Sequence, residues 1–174
     1  MSVNLATCTP VEAATLLYPI VDGIVKEIII PQATARDPQR TGGWFAFWRS
    51  DPNLTDTVPV VGFAVGTISP ERFLKYMHFA NEKAARLSAR LMDISSWQSR
   101  DESDPDPMRH KYGGAIRCGK ELFFSFSGFD EHEDELICTV SAHRLRIIAY
   151  RVVRQIAEAS NNALLREYYR DGQP

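Results

Sequence analysis

The chain has 174 residues, a formal net charge of −2 at pH 7, and 44% hydrophobic and 24% charged residues. A chain of this length buries roughly 70% of its unfolded surface, so we expect one domain over residues 1–174 with a core of its own. The near-neutral charge, without a basic stripe, excludes the usual electrostatic basis for binding nucleic acid, whose phosphates attract clustered Lys and Arg.

The three cysteines, Cys8, Cys118 and Cys138, form an odd set without close spacing. Such a set does not favour a disulfide framework and indicates a reducing compartment, so we expect a cytoplasmic protein. The first ten residues lack the basic and apolar regions of a secretory signal. No run approaches the roughly 18 apolar residues of a membrane span, so we expect no membrane partner.

The beginning of the chain predicts a helix. Thr9-Pro10 supplies its cap and first turn, and Pro19 is expected to kink it or divide it into two short helices. Residues 28–30 fit either a final helical turn or a short strand. Residues 33–43 are predicted to be a loop, because they are polar and contain Pro and Gly.

Residues 44–48, Trp-Phe-Ala-Phe-Trp, predict a strand with the tryptophans on one face and two phenylalanines on the other. A turn is predicted at residues 51–53 and a second strand at residues 60–68. Because both faces of the first strand are apolar, something must cover each of them. We favour a core on one side and an oligomer interface on the other, with the wall of a pocket for a planar ligand as the alternative.

Ser69-Pro70 is the clearest helix start in the chain, and an apolar stripe continues the helix from Glu71 to about Met92. Residues 95–112 then form a polar segment that contains two prolines. Loops of that length are usually functional or mobile.

The last part of the chain predicts a hairpin of strands at residues 115–118 and 122–126, followed by a long helix. Acidic residues at 131–134 favour the N-terminus of that helix, and apolar residues continue it to about Ile156. The order helix, strand, strand, helix, hairpin, helix predicts an α+β fold. Its antiparallel sheet is flanked by helices, as in profilin-like or sensor-like sandwiches.

Four short motifs follow one another in the second half: Glu82-Lys83-Ala84-Ala85, Gly113-Gly114, Ser127-Gly128 and an acidic run at residues 133–135. In this order they resemble the small bacterial haem-binding and haem-degrading-like family that includes the glycolate-operon protein of unknown function. The resemblance implies Lys83 as a ligand-binding residue, haem as the candidate cofactor and a homo-oligomer as the assembly.

A candidate site follows from the glycine motifs. The hairpin is expected to bring Gly113-Gly114 beside Ser127-Gly128, where backbone N–H groups, the Ser127 hydroxyl and the next helix N-terminus would accept a carboxylate or phosphate. His110, in the preceding charged loop, would join them. Alternatively, the glycines only permit a tight turn and Ser127 only caps the last helix.

We therefore expect a homo-oligomeric domain that binds a small ligand, either haem or a small organic acid. Two alternatives stay open. One is an assembly module without a ligand, and the other is an enzyme acting at the Gly113/Ser127 corner with His110 as the acid–base. The run at residues 132–135 is not expected to hold a metal, because successive helical side chains point in different directions.

Overall fold

The computed structural model of the chain describes residues 4–50 and 56–170, so the turn predicted at residues 51–53 lies outside the described residues. The elements are helices α1 (Pro10–Ile24), α2 (Ile30–Arg36), α3 (Pro70–Ser88), α4 (Glu131–Arg144), α5 (Tyr150–Ala159) and α6 (Ala163–Arg170), and strands β1 (Gly42–Ser50), β2 (Thr57–Gly66), β3 (Ala115–Cys118) and β4 (Leu122–Ser127). This confirms the α+β fold. None of the described helices has the length and apolarity needed to cross a bilayer.

The four strands form one sheet in the order β2-β1-β4-β3, and every neighbouring pair is antiparallel. Helix α3 connects the two hairpins across one face of the sheet. Helices α1 and α4 cover the other face, and α5 and α6 pack against α4. The sheet therefore lies between helical layers, as the α+β prediction requires.

Both aromatic faces of the sheet are covered within the chain. On the α3 side, Trp48 donates from Nε1 to Asn81 Oδ1 at 3.0 Å. On the other side, the rings of Phe45 and Phe124 meet edge-on with their centroids 5.4 Å apart, and both residues are fully buried. The chain's own helices therefore cover both faces, and the homo-oligomer stays a prediction.

The N-terminal helix is continuous through Pro19, and a π-helical turn at Val25–Ile29 joins it to α2. Residues 28–30 are thus helical, and α2 includes the first four residues of the loop predicted at 33–43. Buried residues recur at every fourth position through the π turn: Val21, Val25, Ile29 and Ala33. This continuous apolar stripe favours the helix over a loop.

Two helices end earlier than predicted. Helix α3 stops before Leu91 and Met92, which are 83% and 90% exposed and so do not continue its apolar stripe. The long last helix is interrupted after α4, where Arg146 takes a left-handed φ of 57° and Ile147 donates its N–H to Ala142 O at 2.9 Å. The apolar pattern continues across this turn, so sequence periodicity alone does not predict the break.

The beginning of β1 and the end of β4 approach each other at two glycines. A Cβ added to Gly128 would lie 2.5 Å from Gly43 Cα, and one added to Gly43 would lie 2.5 Å from Ser127 O. Neither position has room for a side chain. These glycines therefore set the distance between the two strands at the end of the sheet where Ser127 lies.

We expect Gly128→Ala to lower the free energy of unfolding by about 1–3 kcal/mol, because the new methyl group would force the two backbones apart. Gly23→Ala is the matched control, since Gly23 lies within α1 with nothing within 4 Å of an added Cβ. It should raise the free energy of unfolding by about 0.5–1 kcal/mol. Urea denaturation measures both, and equal effects of the two variants would contradict the close approach.

Candidate functional site

A pocket of about 600 Å³ opens between α3, the end of β4, the start of α4 and the segment 96–112. Its volume lies within the range that small-molecule sites occupy. Three of the residues expected at a ligand site, Lys83, Ser127 and Gly128, line it. Lys83 lies on α3, and Ser127 and Gly128 lie at the end of β4, so regular secondary structure holds these residues in place.

A buried ion pair forms the floor of the pocket. Lys83 Nζ donates to Phe126 O at 2.9 Å and to Asp134 Oδ2 at 3.0 Å, and both charged side chains are 2% exposed. Asp134 Oδ1 also accepts from the Phe129 N–H at 3.0 Å. The pair therefore ties α3 to the end of β4 and to the first turn of α4.

Gly113 and Gly114 make room for this floor and for one wall. A Cβ on Gly114, whose φ is 111°, would lie 2.6 Å from Asp134 Cβ and 2.9 Å from Lys83 Nζ. A Cβ on Gly113 would lie 2.7 Å from Trp97 Cε3. The two glycines are thus required by close packing around the pocket. The Phe126 N–H donates to Gly114 O at 3.1 Å, so these glycines lie beside the end of β4.

The backbone N–H groups predicted to accept an anion at this corner are already used by the chain's own carboxylates. The Gly113 N–H donates to Glu131 Oε1 at 2.6 Å, and the Asp130 N–H donates to Glu133 Oε2 at 3.1 Å. Asp130, and not Ser127, caps α4 through a capping box with Glu133. The Gly113 and Asp130 N–H groups are therefore not available to an anion, and the alternative in which Ser127 caps α4 is wrong.

Two side chains on the floor keep donors without a partner. The Ser127 hydroxyl lines the pocket, the residue is 6% exposed, and its Oγ has no hydrogen-bond partner in the described ranges 4–50 and 56–170. The Lys83 ammonium has three N–H groups, of which two have partners there. A ligand that supplies acceptors at this position would bond to both groups.

Aromatic rings form two walls above the floor. On the α3 side, Phe79 and Tyr112 meet edge-on with centroids 5.1 Å apart. In a second pair that also lines the pocket, Trp97 and His132 are stacked at 4.2 Å, and the Arg100 guanidinium lies 5.1 Å from the Trp97 ring. The space between these walls suits an apolar or planar group.

The pocket lining carries five cationic and five carboxylate side chains, so it has no net formal charge. Its carboxylates all have a cationic partner: Asp37 and Asp130 pair with Arg40, Glu102 and Glu131 with Arg100, and Asp134 with Lys83. Arg72 and Lys75 also line the pocket, and neither has a carboxylate partner in the described part of the chain. An anionic ligand would meet these two cations at the mouth.

His110 does not line the pocket. Its Nε2 lies 2.7 Å from Asp104 O and its Nδ1 lies 3.0 Å from the Tyr112 hydroxyl. The histidine thus contacts the pocket only through Tyr112 and holds the loop around residues 104–112 in shape. A direct role for His110 in the site, as predicted from its position in the sequence, has no support in this geometry.

The pocket does not fit haem. His132 Nε2 is 3.1 Å from Ser160 O, so that nitrogen is not free to bind an axial iron. Burial and two nearby glutamates raise the pKa of Tyr112, which disfavours the phenolate that iron ligation requires. Within the described residues, no group of three or more His, Cys, Asp or Glu side chains is placed to hold a metal ion.

Several pocket residues were missed by the sequence-based analysis: Arg72, Lys75, Trp97, Arg100, Tyr112 and Asp134. One signal was present for Asp134. Lys83 lies on the apolar stripe of α3 beside Ala80 and Ala84, and a lysine on a buried stripe needs an anionic partner. The residues of the 96–112 segment had no such signal, because their placement depends on how that segment folds over α3.

We expect the ion pair to make stability depend on pH. Burial raises the pKa of Asp134 to about 7, so the folded state binds a proton more tightly than the unfolded state. This contribution to the free energy of unfolding is present below about pH 4 and is lost as the pH rises through about 7. Urea denaturation across this range should show a steeper decline for the wild type than for Asp134→Asn. Equal slopes would contradict the raised pKa.

Comparisons with protein-family models, with curated proteins and with solved structures find no match to this chain. The chemistry of the pocket is therefore inferred from its own geometry. Two buried donors at the floor, aromatic walls and unpaired cations at the mouth together suit a small organic anion.

Proposed function

We propose that this protein binds a small organic acid in the pocket, with the acid group on the floor and an apolar body between the aromatic walls. One observation carries the proposal: two donors on side chains more than nine-tenths buried, the Lys83 ammonium and the Ser127 hydroxyl, face the pocket without a full set of acceptors.

The floor favours an ionised acceptor. A hydrogen bond to a charged group contributes about 1.5–3 kcal/mol, more than a bond between neutral groups, and burial strengthens it. Lys83 is already fixed by Phe126 O and Asp134, so little further ordering accompanies binding. A carboxylate or phosphate is the natural complement to such a fixed ammonium and a nearby hydroxyl.

The walls and mouth favour an organic body on that acid. Phe79, Tyr112, Trp97 and His132 all line the pocket, and rings of this kind bury an apolar ligand well. The cations of the mouth attract the acid during its approach, an effect that salt screens. Binding of a small aromatic or aliphatic acid follows from these features together.

The two other hypotheses have less support. A serine nucleophile needs a base within hydrogen-bond reach, and Ser127 Oγ has none among residues 4–50 and 56–170. An assembly module would use an exposed apolar surface, whereas both aromatic sheet faces are packed against α1, α3 and α4.

Benzoate is a suitable probe, and isothermal titration calorimetry should show saturable binding at one site. We expect Ser127→Ala to raise the Kd about tenfold, which corresponds to about 1.4 kcal/mol, because the ligand loses a hydroxyl donor. The thermal unfolding midpoint should stay unchanged, because the hydroxyl has no partner to lose in the described part of the free protein.

Ser125→Ala is the matched control. Ser125 lies on the same strand and carries a buried hydroxyl without a partner in the described chain, but it does not line the pocket. Its removal should leave the Kd for benzoate unchanged. Equal effects of the two substitutions, or no saturable binding of benzoate, phenylacetate or phenyl phosphate by the wild type, would contradict the proposed function.

A further inference from the structure

The floor of the pocket holds two opposite charges that balance each other before any ligand arrives. Lys83 is the cation that donates to Asp134, at 3.0 Å, and both groups are shielded from water by burial. An organic anion bound to Lys83 would place a second negative charge beside the Asp134 carboxylate. Two carboxylates that share one buried cation repel each other, and such pairs commonly retain a proton.

The other charged groups near Asp134 do not supply the missing positive charge. Arg40 is near enough for the charge of Asp134 to raise its pKa, but it is paired with Asp130. Glu133, on the same helix as Asp134, adds a negative charge next to Asp134. Burial and the charge of Asp134 raise the pKa of the Cys138 thiol, which therefore stays neutral. From β4, only the Phe126 carbonyl and the Ser127 hydroxyl face the pair, and neither titrates.

We propose that an organic anion enters this pocket together with one proton, which binds to the Asp134 carboxylate. The inference rests on the proposed function. The proton comes from solvent and forms an O–H bond on Asp134, while the ligand stays ionised and takes over Lys83 as its counter-ion. The floor then carries the same total charge with and without the ligand.

In the free protein, the pKa of Asp134 already lies near neutral pH. Burial raises the pKa of Asp134 to about 7 even with Lys83 beside it. A ligand anion at Lys83 raises that pKa further, so that near and above neutral pH the proton is taken up as the ligand binds. By linkage, anion affinity must then fall as the pH rises, by about tenfold per pH unit above the pKa of the free protein.

Calorimetric titration of the wild type with benzoate, whose own carboxyl group stays ionised throughout, measures this uptake directly. In two buffers of different ionisation enthalpy at pH 8, the observed enthalpies should differ by an amount that corresponds to about one proton bound per benzoate. The Kd should rise about tenfold between pH 7.5 and pH 8.5. This measurement needs no variant.

Two variants identify the group that takes the proton. Asp134→Asn keeps an oxygen acceptor for Lys83 but cannot titrate, so its benzoate Kd should be independent of pH and its proton uptake should vanish. His132→Gln is the matched control, because His132 also lines the pocket and the substitution removes its imidazole. It should retain the uptake of one proton.

The outcomes separate the two proposals. Benzoate binding by the wild type without proton uptake, or uptake that His132→Gln removes and Asp134→Asn retains, would overturn the proton-coupled binding and leave the proposed function standing. Failure of benzoate to bind at any pH between 6 and 8.5 would overturn both. If Asp134→Asn does not fold, the wild-type and His132→Gln titrations still decide between these results.

Discussion

The ion pair between Lys83 and Asp134 joins the three elements on which the pocket depends. It connects α3 to α4, it reaches the end of β4 through the Phe126 carbonyl, and it lies against the backbone of Gly114. A buried pair of this kind contributes little net stability, because the cost of removing both charges from water offsets their attraction. Its position at the floor of a pocket is the basis of the proposal that an organic anion binds there.

Three consecutive acidic residues on α4 contact three different parts of the fold. Glu133 pairs with Arg36, Asp134 pairs with Lys83, and Glu135 accepts from three neutral donors on Ser95, Ser160 and Asn162. Their side chains diverge because successive residues on a helix point about 100° apart. All three are buried, so their role extends beyond the favourable charge at a helix N-terminus that explains such runs on a surface.

The sequence predicted the layers of the fold and part of the site. Periodicity and turn residues were sufficient for the aromatic strand, the hairpin and the start of α3, because local chemistry determines those features. The break after α4 was not predicted, since the apolar residues around Arg146 continue the helical pattern across it. In the site, Lys83, Ser127 and Gly128 were found, but Trp97 and Arg100 were not, because their placement depends on the tertiary packing of a long irregular segment.

One side chain, Arg86, connects the two ends of that segment. The Arg86 guanidinium donates to the Ser96 and Ser99 carbonyl oxygens at 2.9 and 3.1 Å and to the Tyr112 carbonyl oxygen at 2.6 Å. It thus fixes both ends of the wall that carries Trp97. The planar guanidinium makes this possible, because its donors point in several directions within one plane.

Helix α4 is buried along ten consecutive residues, from Glu133 to Ala142. Elements enclosed on every side open to solvent only when the whole domain unfolds, whereas surface helices open in smaller fluctuations. Asp134 belongs to this most persistent part of the molecule, while Arg72 and Lys75 at the mouth project from the first turns of α3. The backbone at the floor of the pocket therefore opens only in global unfolding, whereas the first turns of α3 can open in smaller fluctuations.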